Sequence, residues 1–141
     1  MDISTCVKFK GGFPMPTEIV PAPGKDLTAH ILGCFRKQGI QASDPEELEY
    51  GNTIRCTINK CVYEVEVSFD WITYEWWDVM YTPTVGLFAR LFGASEVHEM
   101  QLLTRVIDSA IREIKGISDI RWYTSFPTDP ENSYSPIPVG I

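Results

Sequence analysis

Glu64, Glu66, Ser68 and Asp70 recur at every second position of one stretch. If that stretch is a strand, the spacing puts all four side chains on one face. Three carboxylates so arranged can bind a divalent cation or supply a general acid and base. A solvated sheet face has the same pattern. Carboxylate metal sites gather ligands from several elements, and no second acidic cluster in the sequence is aimed here. The reading is therefore a solvated or partner-binding face, with Glu64, Glu66 and Asp70 as partner-binding candidates.

The run Trp71, Tyr74, Trp76, Trp77 and Tyr81 is the most unusual feature of the chain. Neighbours on a strand point to opposite faces, so at most one of Trp76 and Trp77 enters the main core. The other is covered by a terminal arm or lies exposed. Exposed Trp and Tyr anchor protein interfaces and line small-molecule pockets. Tyr74, Trp76 and Trp77 thus join the partner-binding candidates.

Nucleophilic and metal chemistry find little material. His30 borders the apolar stripe of a helix and reads as packed or half-solvated, while His98 falls on a polar helical face. Neither is tied to a serine or cysteine by a motif, so a nucleophile–base pair has no support. The cysteines, Cys6, Cys34, Cys56 and Cys61, contain no C-x-x-C pair. With neither histidine read as their partner, no zinc site, other metal or cofactor is expected. Phosphate-cradling, nucleophile-elbow and H-E-x-x-H signatures are absent.

The elements that position these residues follow from periodicity. Asp26–Gln38 places Leu27, Ile31, Cys34 and Phe35 on one helical face, with Asp26 as N-cap and Gly39 as stop. Asp44–Glu49 is an acidic loop with room for one helical turn. Thr53–Ile58 and Cys61–Trp71 are rich in β-branched and aromatic residues, and Asn59-Lys60 forms their two-residue turn. In that register Ile58 faces Cys61, Cys56 faces Tyr63, Ile54 faces Val65, and Arg55 pairs with Glu64 on the other side. Cys56 and Cys61 are then diagonal, a poor geometry for a disulfide.

A third strand covers 75–82, and the apolar stretch 85–92 suits one or two helical turns in the core. The longest helix runs from Ser95 to Lys115, with Ser95 as N-cap and an Asp108–Arg112 pair on its polar face. A last strand spans Ile117–Thr124. Ile3, Thr5, Val7 and Phe9 alternate with polar residues and permit an extra N-terminal strand. Eight of the ten prolines lie in two arms, 13–24 and 126–141, which should be extended or irregular. Together these predict a single α+β domain over 1–141. Its antiparallel sheet has about four strands, with two main helices on one face in the order α-β-β-β-α-β.

The 141 residues suffice to bury about two-thirds of the unfolded surface without a metal or disulfide. A net charge of −7 repels phosphate backbones and anionic membranes, so neither nucleic acid nor membrane is an expected partner. No export signal and no apolar run of about 18 residues is read, and a cytoplasmic location with reduced thiols is expected.

The long helix followed by Ile120-Arg121-Trp122-Tyr123, after an aromatic three-stranded meander, resembles small bacterial proteins of the immunity type. The resemblance covers residues 53–124. It implies a cytoplasmic α+β protein that binds and blocks a cognate secreted toxin, and it carries over no functional residue. The function expected is a non-enzymatic protein-binding domain of this kind or an adaptor. The alternative is a small enzyme or ligand-binding protein with a pocket between the helices and the aromatic strand 71–81. A homodimer through an open sheet edge is compatible with either.

Overall fold

A computed structural model describes residues 2–18, 22–84, 96–127, 129, 131 and 133–141. In chain order these form β1 (Cys6–Gly11), α1 (Lys25–Lys37), β2 (Gln41–Ala42), β3 (Glu46–Glu47), β4 (Gly51–Ile58), β5 (Cys61–Phe69), β6 (Trp77–Pro83), α2 (Val97–Arg112) and β7 (Ile117–Tyr123). The strands join one sheet in the order β2-β4-β5-β6-β1-β7, with β3 also on β4. All of their pairings are antiparallel.

The β4–β5 hairpin sets the register. Asn59 and Lys60 adopt φ of 49° and 70°, the doubly left-handed turn whose twist matches the flanking strands. Ile58 then faces Cys61, Ile54 faces Val65 and Arg55 faces Glu64. Tyr63, Val65, Val67 and Phe69 are buried, while Glu64, Glu66 and Ser68 point the other way and are partly exposed. This is the alternation expected from the sequence. Strand β6 adds Trp77, Val79 and Tyr81 to the buried face.

Both helices cover that face. Leu27, Ile31 and Phe35 of α1 and Leu103, Ile107 and Ile111 of α2 pack into one core with the strand residues. Full burial of each such side chain contributes about 1.5–3 kcal/mol. A buried polar cluster fixes α2 on the sheet. The Tyr81 hydroxyl lies 3.0 Å from Met100 O and 2.6 Å from Thr104 Oγ1, and Thr104 donates to Ser4 O at 2.7 Å. No helix among the described residues is long and apolar enough to cross a membrane.

The sheet corrects the expected architecture in both size and order. It has seven strands rather than about four, and β1 is an inner strand between β6 and β7. Cys6, Val7, Lys8 and Phe9 are all buried. Both faces of β1 are therefore covered, and a charged residue inside it disguises this in the sequence. The acidic loop holds strand β3 instead of a helical turn, because β2 and β3 borrow hydrogen bonds from the outer edge of β4. Strands of two residues carry no readable period.

Helix starts also differ. Helix α1 begins at Lys25 after Gly24, whose φ of 94° favours glycine, and no side chain caps it. Helix α2 begins at Val97 after Glu96, again without a side-chain cap. Ser95 and the apolar stretch 85–92 lie outside the described residues.

Gly51 marks a close approach of β4 to β5, because a Cβ there would collide with the Val67 carbonyl oxygen. Gly51→Ala should therefore cost about 3 kcal/mol. Gly33, mid-helix with open space around it, should gain up to about 1 kcal/mol on replacement by alanine. Urea unfolding midpoints at unchanged m-value check both.

Candidate functional site

The sheet face turned away from the helices is divided. Its β6–β1–β7 half is shut. Lys8 and Asp78 stand opposite each other in register, with Nζ 2.7 Å from Oδ1 and side chains 2% and 6% exposed. The Phe126 ring centre lies 4.9 Å from Lys8 Nζ. Next to this pair, Trp76 is stacked by Lys10 Nζ at 4.6 Å and by the Arg121 guanidinium at 4.7 Å. Arg121 also stacks on Tyr134 at 4.3 Å and pairs with Asp119 and Glu131 at 2.9 Å. Cations from β1 and β7 thus alternate with aromatic rings, several of them from the C-terminal arm. That arm is held by Trp122–Ser135 backbone bonds of 2.7 and 3.0 Å and by Ser4 N donating to Val139 O at 3.0 Å.

Burial sets the chemistry of this half. It raises the Asp78 carboxyl to about 6, against the opposing pull of Lys8. Burial, reinforced by Asp78, pushes the Cys6 thiol up to about 12, and burial pushes the Tyr123 hydroxyl to about 12. Neither is a nucleophile at neutral pH.

The β4–β5 half is open, and its acids are less free than their spacing implies. Glu64 is paired with Arg55 at 3.0 Å. Glu66 lies between Thr53 and Met80 in register and has no ion pair among the described residues. The Asp70 carboxylate is spent locally. It accepts from Ile72 N at 2.9 Å, Thr73 N at 3.3 Å and Thr73 Oγ1 at 3.0 Å.

Those bonds shape the turn between β5 and β6. Asp70 N donates to Trp76 O at 2.8 Å, and Tyr74 N donates to Asp70 O at 2.9 Å. Tyr74 is held at φ 58°, a left-handed conformation costly for a residue with a Cβ. Trp71 stacks edge-on against both Phe69 and Tyr74, at 5.4 and 5.7 Å. The turn is thereby braced, and it presents Ile72 at 92% exposure beside Tyr74 at 53%. Tyr50, 51% exposed, precedes Gly51, whose partner is Ser68, so it sits at the same end of the sheet. Trp76 and Trp77, expected as partner contacts, are 2% and 4% exposed and closed to a partner. Trp77 lies in the main core, and Trp76 lies under the cations of the shut half.

A cavity of about 340 Å³ touches the aromatic strand at Trp77, between the N-terminal arm and the start of α1. Its ionisable residues, Glu18, Lys25 and Asp26, are all exposed. A larger one of about 520 Å³ lies between α1 and the β2–β3 segment, with Lys25, Arg36 and Glu47 at its rim. Neither is lined by the buried Lys8–Asp78 pair. No family model, curated protein or solved structure matches this chain. The resemblance to immunity-type proteins thus stands on sequence layout alone.

Two candidate features escape the periodicity reading. Ile72 falls between the strands, where an apolar residue reads as an unremarkable turn member; only its exposure singles it out. His30, Cys34 and Glu113 bring ligand atoms within 4.8 Å of one another. The i,i+4 spacing of His30 and Cys34 on α1 is visible in the sequence, but the approach of Glu113 is not.

The buried pair yields a pH signature. The folded Asp78 keeps its proton to a higher pH than the unfolded one, so the folded state binds more protons between 3.8 and about 6. Stability should fall as pH rises through that window, by roughly 3 kcal/mol from this group. Asp78→Asn should remove the slope in urea titrations from pH 4 to 7. At pH 7, Lys8→Met leaves a buried carboxylate unpaired and should cost about 3–5 kcal/mol, and Lys8→Met with Asp78→Leu should recover much of it.

Proposed function

We propose that the protein is a non-enzymatic binding domain that engages a protein partner through the turn 70–75 and the neighbouring Tyr50. The observation that carries this reading is Ile72, 92% exposed at the tip of a turn that its own hydrogen bonds hold rigid. A flexible loop could fold such a side chain inward; this turn keeps it in water. A preorganised apolar tip loses little entropy on binding, so most of its burial appears as affinity. Tyr50 and Tyr74 add amphipathic area of the kind that anchors interfaces. Glu49 and Glu75, both exposed, rim the patch, Glu75 sharing its charge with Lys10 at 3.7 Å. Negative charge steers a cationic partner and disfavours an anionic one.

A toxin-neutralising role is the narrower form of this proposal. It draws on the immunity-type layout of residues 53–124 and on the acidity of the chain. The absence of a buried ionisable pair from the two cavities described supports binding over catalysis.

A photo-crosslinking residue in place of Ile72 should give a stoichiometric adduct with one protein in the native host. The same residue at Lys60, at the opposite end of the hairpin, should not. Against the captured partner, Ile72→Asp with Tyr74→Ala should weaken affinity by about 100-fold or more, as expected for central anchors. The unfolding midpoint of Ile72→Asp alone should stay where it is, because that side chain lies outside the core. No adduct at 72, or equal adducts at 72 and 60, would remove the turn as the binding surface.

A further inference from the structure

His30 and Cys34 lie one turn apart on α1, and Glu113 follows the last residue of α2. Their donor atoms form a nearly equilateral triangle. Cys34 Sγ is 3.9 Å from His30 Nε2 and 3.7 Å from Glu113 Oε2, and His30 Nε2 is 3.9 Å from Glu113 Oε2. A tetrahedral zinc ion with Zn–S of about 2.3 Å and Zn–N or Zn–O of about 2.0–2.2 Å has ligand–ligand edges of about 3.4–3.6 Å. Inward shifts of a few tenths of an ångström, with the His30 ring turned off its 2.7 Å bond to Ala110 O, bring the donor atoms to those spacings. His30 and Cys34 are partly exposed and the Glu113 side chain is 63% exposed, which leaves them free to make that shift.

We propose that His30, Cys34 and Glu113 form a Zn²⁺ site that clips the C-terminal turns of α1 and α2 together. Thiolate, imidazole and carboxylate are donors that zinc takes. The thiolate and carboxylate together balance its charge. Without metal, His30 Nε2–H donates to Ala110 O at 2.7 Å and the Cys34 thiol points to Glu113. Zinc takes the place of both protons: the thiol proton leaves to solvent, and the imidazole carries its own on Nδ1. Cys34 is in the last turn of α1, and Ala110 and Glu113 are at the end of α2, so the C-terminal carbonyls of two helices favour a cation here. Lys37 opposes it. Cys34 and Glu113 also line a recess of about 270 Å³, with the cations Lys37 and Arg105 on its wall, and this is the route by which the ion and its water would enter.

Cys6 and Cys56 are buried and out of reach of solvent metal, which leaves Cys61, beside Glu96 and Glu99, as the rival thiol. The test titrates the chelator-stripped full chain with Co²⁺ and then Zn²⁺. One Co²⁺ per chain should bind with a thiolate-to-metal charge-transfer band in the near ultraviolet, Zn²⁺ should displace it, and Zn²⁺ should raise the unfolding temperature. Cys34→Ser should abolish the band, and both it and Glu113→Gln should weaken Zn²⁺ binding by roughly 100-fold or more. Cys61→Ser should change neither. Glu113 is exposed, so its variant folds and keeps the comparison valid. Absence of saturable one-to-one binding, a band that survives Cys34→Ser, or unchanged zinc affinity in Glu113→Gln would overturn the site.

Discussion

The strand nearest the N-terminus lies between two others and is covered on both sides, and the rest of the molecule is arranged around that fact. Val7 and Phe9 project into the helix-covered core, so Lys8 must project into the opposite layer. A lysine buried there without a counter-charge would be too costly to keep. Asp78, directly across the ladder, supplies the counter-charge, and Phe126 of the C-terminal arm closes over it. The register of β6 and the placing of the C-terminal arm over β1 together give Lys8 a dry place to sit.

The same arrangement decides where a partner can reach. One half of the outer sheet face is sealed by the chain itself, and the acids on the other half are partly paired. What remains available is the end of the sheet where β5 turns into β6. There the Asp70 side chain accepts the bonds that hold a bend, and the bend holds Ile72 outward. The residue that looked like an acid of the surface is the one that shapes the surface. Burial of Trp76 and Trp77, the most conspicuous residues of the sequence, leaves the proposed surface to smaller neighbours, of which the sequence marks Tyr74 but not Ile72.

Much of the fold could be read from local pattern. The β4–β5 hairpin is specified by alternation and by a two-residue turn in which Asn59 tolerates the left-handed conformation. The two helices show in their 3.6-residue stripes, and proline ends β6. What escapes local pattern does so for definite reasons. β1 reads as an extra N-terminal strand, but its lysine hides that it is an inner one covered on both faces, and β2 and β3 are too short to show a period. Of the binding candidates, Glu64 and Glu66 sit on the open face as their spacing implies, and Asp70 and Tyr74 sit in the turn.

By itself the sequence determined each local element whose side chains repeat with its own geometry, because periodicity and turn chemistry act between near neighbours. Only the tertiary structure decided which strand is central, which tryptophans are closed off, and that a glutamate 79 residues from Cys34 meets it beside a histidine. Those outcomes depend on contacts between segments far apart in the chain, and no spacing within one segment encodes what another will bring to it.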